Sequence, residues 1–193
     1  MITLFKQSAF ATLAAILVSL MPFAAKADPI TYTYTGNDFT SFTLPSAYTT
    51  SDSVTGSITL TSALADNIST FFAQPAASIV SFTFSDGQQT ITNLNATGDA
   101  FSFKTDASGN IIDWQVTVDI GAVATDSIGT VDAPGTLGVF DQGVFENSEG
   151  SNRNSPGTWI SSAASTALPE PASIAILCMG LLGLGLLRRR DLA

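Results

Sequence analysis

Two stretches of the chain alternate apolar and polar positions with a period of two. In "SIVSFTFSDGQQTITNL", Val80, Phe82 and Phe84 alternate with Ser81, Thr83 and Ser85. In "AFSFKTDASGNIIDWQVTVDIG", Ile112, Trp114, Val116, Val118 and Ile120 share one parity, while Asp113, Gln115, Thr117 and Asp119 take the other. Successive side chains of a strand point to opposite faces, so both segments predict strands that bury one face only, the habit of an antiparallel sheet with one side on a core. Asp86-Gly87 predicts a two-residue type I′ hairpin turn, which needs positive φ at both central positions. In the second hairpin Phe101 and Phe103 lead into a loop of Asp106, Ser108, Gly109 and Asn110.

The same reading extends in both directions with less regularity. "ITYTYTGNDFTSFTLPSAYTTSDSVTGSITLTS" is rich in Thr, Tyr, Phe and Ile and is broken by Gly, Asn-Asp and Pro, which predicts short strands with turns between them. Ser62 to Gln74 alone offers helical spacing, with Leu64, Ile68, Phe71 and Phe72 at i, i+4, i+7 and i+8; a brief helix or turn and an irregular strand both fit. From Asp132 to Thr166 the chain turns Gly-, Ser-, Asn- and Pro-rich. The apolar pieces Leu137 to Phe140, Val144-Phe145 and Trp159-Ile160 predict final short strands, and residues 161–168 a flexible linker. The expected architecture is all-β: one antiparallel β-sandwich of about seven to nine strands over residues 28–160.

Both ends depart from this pattern. Residues 1–27 carry Lys6, an apolar run from Ala9 to Phe23, and then Ala25-Lys26-Ala27. That order predicts a secretory signal peptide cut after Ala27, with the small side chains of Ala25 and Ala27 at the two positions a signal peptidase inspects. The run falls short of the ~20 residues of a spanning helix, and no cysteine follows it to receive a lipid. The other end places Pro169-Glu170-Pro171 before a 14-residue apolar run, Ile174 to Leu187, and then Arg188, Arg189 and Arg190. The run makes about 21 Å of helix, which is short for a stable membrane span. The arginines match a cytoplasmic stop.

Charge narrows the partners. Residues 28–168 hold 14 acidic side chains against Lys104 and Arg153, a net charge of −12. Such a surface repels nucleic acid and anionic membranes, so no nucleic-acid partner is expected. The only cysteine is Cys178, within the C-terminal apolar run, so residues 28–168 can form neither a disulfide nor a thiolate metal site. The chain has no His, which removes the commonest general base and the commonest metal ligand.

The search for catalytic chemistry is correspondingly thin. There is no G-x-S-x-G elbow and no phosphate-binding glycine loop. Carboxylate pairs of the glycosidase kind remain conceivable, but Asp86-Gly87, Asp106-Ala-Ser-Gly and Asp126-Ser-Ile-Gly read as turns in which the Asp side chain caps the backbone. "TDASGN" and "FDQGVFENSEG" gather oxygen ligands as a Ca²⁺ site would, without matching the EF-hand pattern. Trp114 is expected in the core. Trp159 is read as a buried edge-strand aromatic, with a sugar platform as the alternative. No catalytic residue, metal site or cofactor is expected. Asn67-Ile68-Ser69 and Asn95-Ala96-Thr97 match the glycosylation triplet.

The tail "LPEPASIAILCMGLLGLGLLRRRDLA" resembles the PEP-CTERM sorting signal of exported proteins of Gram-negative bacteria: Pro169-Glu170-Pro171, a short apolar helix over 174–187 with a Gly-rich portion, and a basic cluster, together spanning 169–193. The resemblance implies processing by an exosortase, a membrane protease-transpeptidase, after transient residence in the inner membrane. It also implies release to the cell surface or extracellular matrix. The sorting motif is an address and transfers no activity to the body. The expected role is a non-enzymatic surface or matrix protein associated with biofilm or exopolysaccharide. The alternatives are a carbohydrate- or calcium-binding module and, behind it, a carboxylate-based hydrolase.

Overall fold

The computed structural model describes residues 28–121 and 126–162. The proposed signal peptide with Ala25 and Ala27, the sorting motif Pro169-Glu170-Pro171, the apolar segment 174–187 and Arg188 to Arg190 all lie outside the described residues. Among the described residues, no helix is long and apolar enough to cross a membrane.

Among the described residues twelve strands follow one another: β1 (Ile30–Asp38), β2 (Ser41–Phe42), β3 (Ser53–Leu60), β4 (Phe72–Ala73), β5 (Ile79–Ser85), β6 (Thr90–Thr92), β7 (Gly98–Thr105), β8 (Ile111–Ile120), β9 (Asp126–Ala133), β10 (Gly138–Phe145), β11 (Ser148–Arg153) and β12 (Thr158–Ser161). They form a five-stranded sheet in the order β12-β1-β3-β5-β6 and a seven-stranded sheet in the order β2-β11-β10-β9-β8-β7-β4, and every pairing is antiparallel. The all-β expectation holds. The strand number exceeds seven to nine, since pieces such as β2 and β4 are only two residues long and are recruited by the edge of the larger sheet.

The sheets share one core. Tyr32, Tyr34, Ile58, Phe82 and Phe84 of the five-stranded sheet meet Phe101, Phe103, Trp114 and Val116 of the seven-stranded one. The ring of Phe82 lies 5.1 Å from that of Phe101, and Tyr34 lies 5.6 Å from Trp114 in an edge-on pose. These are spacings at which aromatic pairs attract beyond their buried area.

Several local expectations are corrected. Ser62 to Gln74 forms no helix: it is irregular chain with a turn at Asp66-Asn67, and only Phe72-Ala73 is strand, β4, with Leu64 buried and Phe72 exposed. Val80 and Ile112 do not join the buried parity; each is 50% exposed. The register steps between Thr59 and Leu60 opposite β5, and between Lys104 and Thr105 opposite β8. Each step leaves one residue extra, Val80 and Ile112, and turns the preceding Ile79 or Ile111 toward the core instead.

The hairpin after β5 exists, but its connection is four residues, Asp86 to Gln89, because Ser85 pairs with Thr90. Positive φ occurs at Gly87 and not at Asp86, so the expected type I′ turn is absent there. A two-residue turn with positive φ at both positions sits instead at Glu146-Asn147, between β10 and β11. Asp126-Ser-Ile-Gly starts β9 rather than forming a turn. The Gly-rich stretch after Asp132 is mostly ladder. Its glycines make room for large neighbours: a methyl group on Gly150 would stand 2.7 Å from both the Phe39 and Tyr48 rings.

Candidate functional site

Two aspartates that composition alone would place on the surface are fully buried. Asp141 lies mid-β10, between Thr130 of β9 and Asn152 of β11, with its side chain turned inward. Tyr34 of β1 donates its hydroxyl to Asp141 Oδ1 at 2.7 Å, and the Gly157 amide donates to the same hydroxyl at 2.8 Å. Beside them Trp114 Nε1 donates to Thr130 Oγ1 at 2.8 Å. Asp141 Oδ2 and Trp159 Nε1 have no hydrogen-bond partner. Burial pushes the Asp141 carboxyl up to about 6, against the Thr130 and Tyr34 hydroxyls and the Asn37 backbone, which favour the ionised form. Burial, and next the Asp141 charge, raise the Tyr34 hydroxyl well above the ordinary phenol range.

Asp86 repeats the arrangement at the β5–β6 turn. Its Oδ1 accepts the backbone amides of Gln88 and Gln89, each at 2.9 Å. Its Oδ2 accepts Tyr48 Oη at 2.7 Å and Gln89 Nε2 at 3.0 Å. Gln89 Nε2 also donates to the Val144 carbonyl of β10 at 2.7 Å, tying the turn to the opposite sheet. The turn expectation for Asp86 is right in that the carboxylate caps backbone amides; its full burial was not legible in the sequence. Each buried carboxylate is thus committed to a tyrosine hydroxyl, an arrangement suited to locking two sheets together.

The two segments weighed as alternative calcium sites use their oxygens within the protein. Asp106 Oδ1 accepts the amides of Ser108 and Asn110, and Oδ2 accepts Asn110 Nδ2. The side chain of Asn110, followed by those amides, holds the Asp106 carboxyl below the usual range. In "FDQGVFENSEG" Asp141 points into the core while Glu146 sits in the β10–β11 turn. Among the described residues, no three His, Cys, Asp or Glu side chains are grouped as a metal would need. Trp114 is in the core as expected. Trp159 is partly buried and packs 5.1 Å from Tyr34 and 5.5 Å from Phe103, as an edge-strand aromatic turned toward the core would. Asn95 uses its side-chain oxygen and nitrogen on Thr92 and Thr90 within its own turn.

A surface feature escaped the sequence reading. The outward positions of β1, β3 and β5 align in register as Thr31–Thr59–Ser81, Thr33–Ser57–Thr83 and Thr35–Thr55–Ser85. β6 extends the second and third rows with Thr92 and Thr90, and β12 with Ile160 and Thr158. Twelve of these 13 positions carry a hydroxyl and none carries a charge. The signal was present as "TYTYT", "TGSIT", "SFTFS" and "TIT", four segments that become one face only when β1, β3, β5 and β6 pair.

No family model, curated protein or solved structure matches the chain.

Proposed function

We propose that the chain is an exported protein of the cell surface or extracellular matrix, freed from the inner membrane by an exosortase, with a structural, non-enzymatic role in a biofilm or exopolysaccharide layer. The observation that carries this reading is the order of parts at the tail: Pro169-Glu170-Pro171, the apolar run 174–187, then Arg188, Arg189 and Arg190. A proline disfavours the helical conformation in the residue before it. A cleavable peptide bond is therefore presented beside the bilayer while the short apolar run holds the chain there. Support from the body is consistent in kind. An acidic β-fold without cysteine needs no oxidising partner outside the cell, and its two buried carboxylates are each hydrogen-bonded to a tyrosine hydroxyl.

The test is the mature C-terminus in a cell that carries the matching exosortase. Mass spectrometry is expected to find a surface form lacking Ile174 to Ala193, and changing Pro169, Glu170 and Pro171 to Ala blocks that conversion while export continues. Changing Arg188, Arg189 and Arg190 to Ser loosens the stop and lets the tail slip across. An intact Ala193 on the surface form would leave a plain membrane anchor in its place.

A carbohydrate-binding role is the second reading, favoured by the uncharged hydroxyl face of the five-stranded sheet.

A further inference from the structure

We propose that the outer face of the five-stranded sheet is a docking surface for an extended, uncharged polysaccharide, whose chain lies across the strands along the rows of Ser and Thr hydroxyls. This assignment rests on the matrix reading above and names the polymer that reading leaves open.

Charge is the first argument. Residues 28–168 carry a net charge of −12, yet the grid from Thr31 to Ser81, Thr33 to Thr83 and Thr35 to Ser85 holds no ionisable side chain. On the opposite sheet, by contrast, Lys104 pairs with Asp113 at 2.8 Å and Arg153 stacks on Phe140. An anionic polymer would be repelled by the molecule as a whole, and a cationic one would find its partners elsewhere than on this face.

Spacing is the second. Neighbouring strands lie about 4.8 Å apart, so the row Thr158–Thr35–Thr55–Ser85–Thr90 spans roughly 19 Å, with the hydroxyls of Thr158, Thr35, Thr55 and Thr90 facing outward while that of Ser85 donates to the Gln89 carbonyl at 2.9 Å. One hydroxyl per strand matches the advance of one ring in an extended β-linked chain. Each Ser or Thr hydroxyl both donates and accepts, as sugar hydroxyls do. The grid is already ordered: Thr31 and Thr59 exchange a hydrogen bond at 2.8 Å.

Twist decides among occupants. Adjacent strands rotate by about 20–25°, so a rigid planar lattice such as ice would lose register within a few strands, whereas a polymer can follow one twisting row. A second copy of the chain would bury almost no apolar area, because Ile160 is the only large apolar side chain among the 13 positions.

Net gain per neutral hydroxyl is small because water competes, so binding requires many hydroxyls at once. Long polymers are therefore retained and short oligosaccharides are not, and salt has little influence, since no charge is neutralised.

The experiment is affinity electrophoresis of the purified full chain through gels containing mixed-linkage β-glucan, hydroxyethyl cellulose or alginate. Retardation is expected in the two neutral polymers, unchanged by salt, and absent in alginate. The variant Thr35→Val/Thr55→Val/Thr90→Val keeps the β-branched shape and removes three of the five hydroxyls of that row; it is expected to need at least ten times more polymer for the same retardation. Thr117→Val, on the outer side of β8, changes nothing. Thermal melting of each variant verifies that the fold is intact. Free migration of the wild-type chain in both neutral gels would overturn the proposal. So would retardation unaffected by the triple change, or equal retardation in alginate. Ice-growth inhibition or self-association lost in the triple variant without any polymer effect would reassign the face. Glycan binding by a chain that is never released from the inner membrane would overturn the matrix reading and leave this face standing.

Discussion

The hydroxyl of Tyr34 on β1 meets the carboxylate of Asp141 on β10 at 2.7 Å, across the interface of the two sheets and 107 residues apart in the chain. Asp141 has no exposed surface and its second oxygen has no partner, so this bond, together with the nearby Thr130 hydroxyl and Asn37 backbone, offsets the burial of the group. Replacing Tyr34 by Phe strips it away and also leaves the Gly157 amide without its acceptor. A loss of about 2–4 kcal/mol is expected by urea unfolding. The hydroxyl favours the ionised carboxylate, so the loss is larger at pH 7.5 than at pH 4.5. An equal loss at both pH values would place the effect in packing alone.

Asp141 also makes stability depend on pH in a direction opposite to a surface carboxylate. Its folded value is pushed up to about 6, from an ordinary value of 3.8, so the folded state binds the proton more tightly than the unfolded one. Stability from this group is full below pH 4, is lost as pH rises through 6, and does not return above it. Asp141→Asn cannot titrate. Its stability relative to the parent is expected to rise by roughly 2–3 kcal/mol between pH 4 and pH 7.5. A flat difference across that range would show that the carboxyl is not perturbed.

Gly87 in the β5–β6 turn has φ of +94°, and a side chain there would also press on the Asp52 carboxylate, closest to its Oδ1 and 2.9 Å from its Cγ. Gly135 shares the positive φ, at +80°, but faces open space. Val at either position is strained by about 1–3 kcal/mol. The Gly87→Val melting temperature is expected to fall further, and a smaller drop than in Gly135→Val would mean that Asp52 simply moves aside.

Mid-strand glycine in β10 serves a different end. A Cβ on Gly143 would stand 2.5 Å from Asp86 Oδ2 and 2.8 Å from Tyr48 Oη, whereas one on Gly129 of β9 meets only the Val116 carbonyl at 3.8 Å. Gly143→Ala is expected to cost about 2 kcal/mol or more by displacing a buried hydrogen-bonded pair. Gly129→Ala is expected to stay within about 0.5 kcal/mol of the parent or to gain, from the reduced entropy of the unfolded chain. Similar values for the two would remove the close-approach explanation.

Alternation within one strand is a local property, and it was enough to place Trp114, Val116 and Val118 on the buried face of β8 and Phe82 and Phe84 on that of β5. Counting residues likewise fixed the acidity and the absence of any cysteine between 28 and 168. Adjacent apolar pairs are where local information ends. Ile79-Val80 and Ile111-Ile112 offer either residue to the core, and the bulges opposite β3 and β7 made the choice. Glycine hid continuity for the same reason: the expected pieces Leu137 to Phe140 and Val144-Phe145 belong to one strand, β10, in which Gly143 leaves room for Asp86 and Tyr48, as Gly150 of β11 does for Phe39 and Tyr48.

The all-β class of the body was legible in the sequence itself, because a period of two needs no partner to be recognised. Burial of Asp86 and Asp141, the pairing of β12 with β1 and the hydroxyl grid were decided by tertiary structure alone. Each joins residues far apart in the chain, and strand pairing, which sets which residues become neighbours, depends on the whole set of strands competing for the same edges.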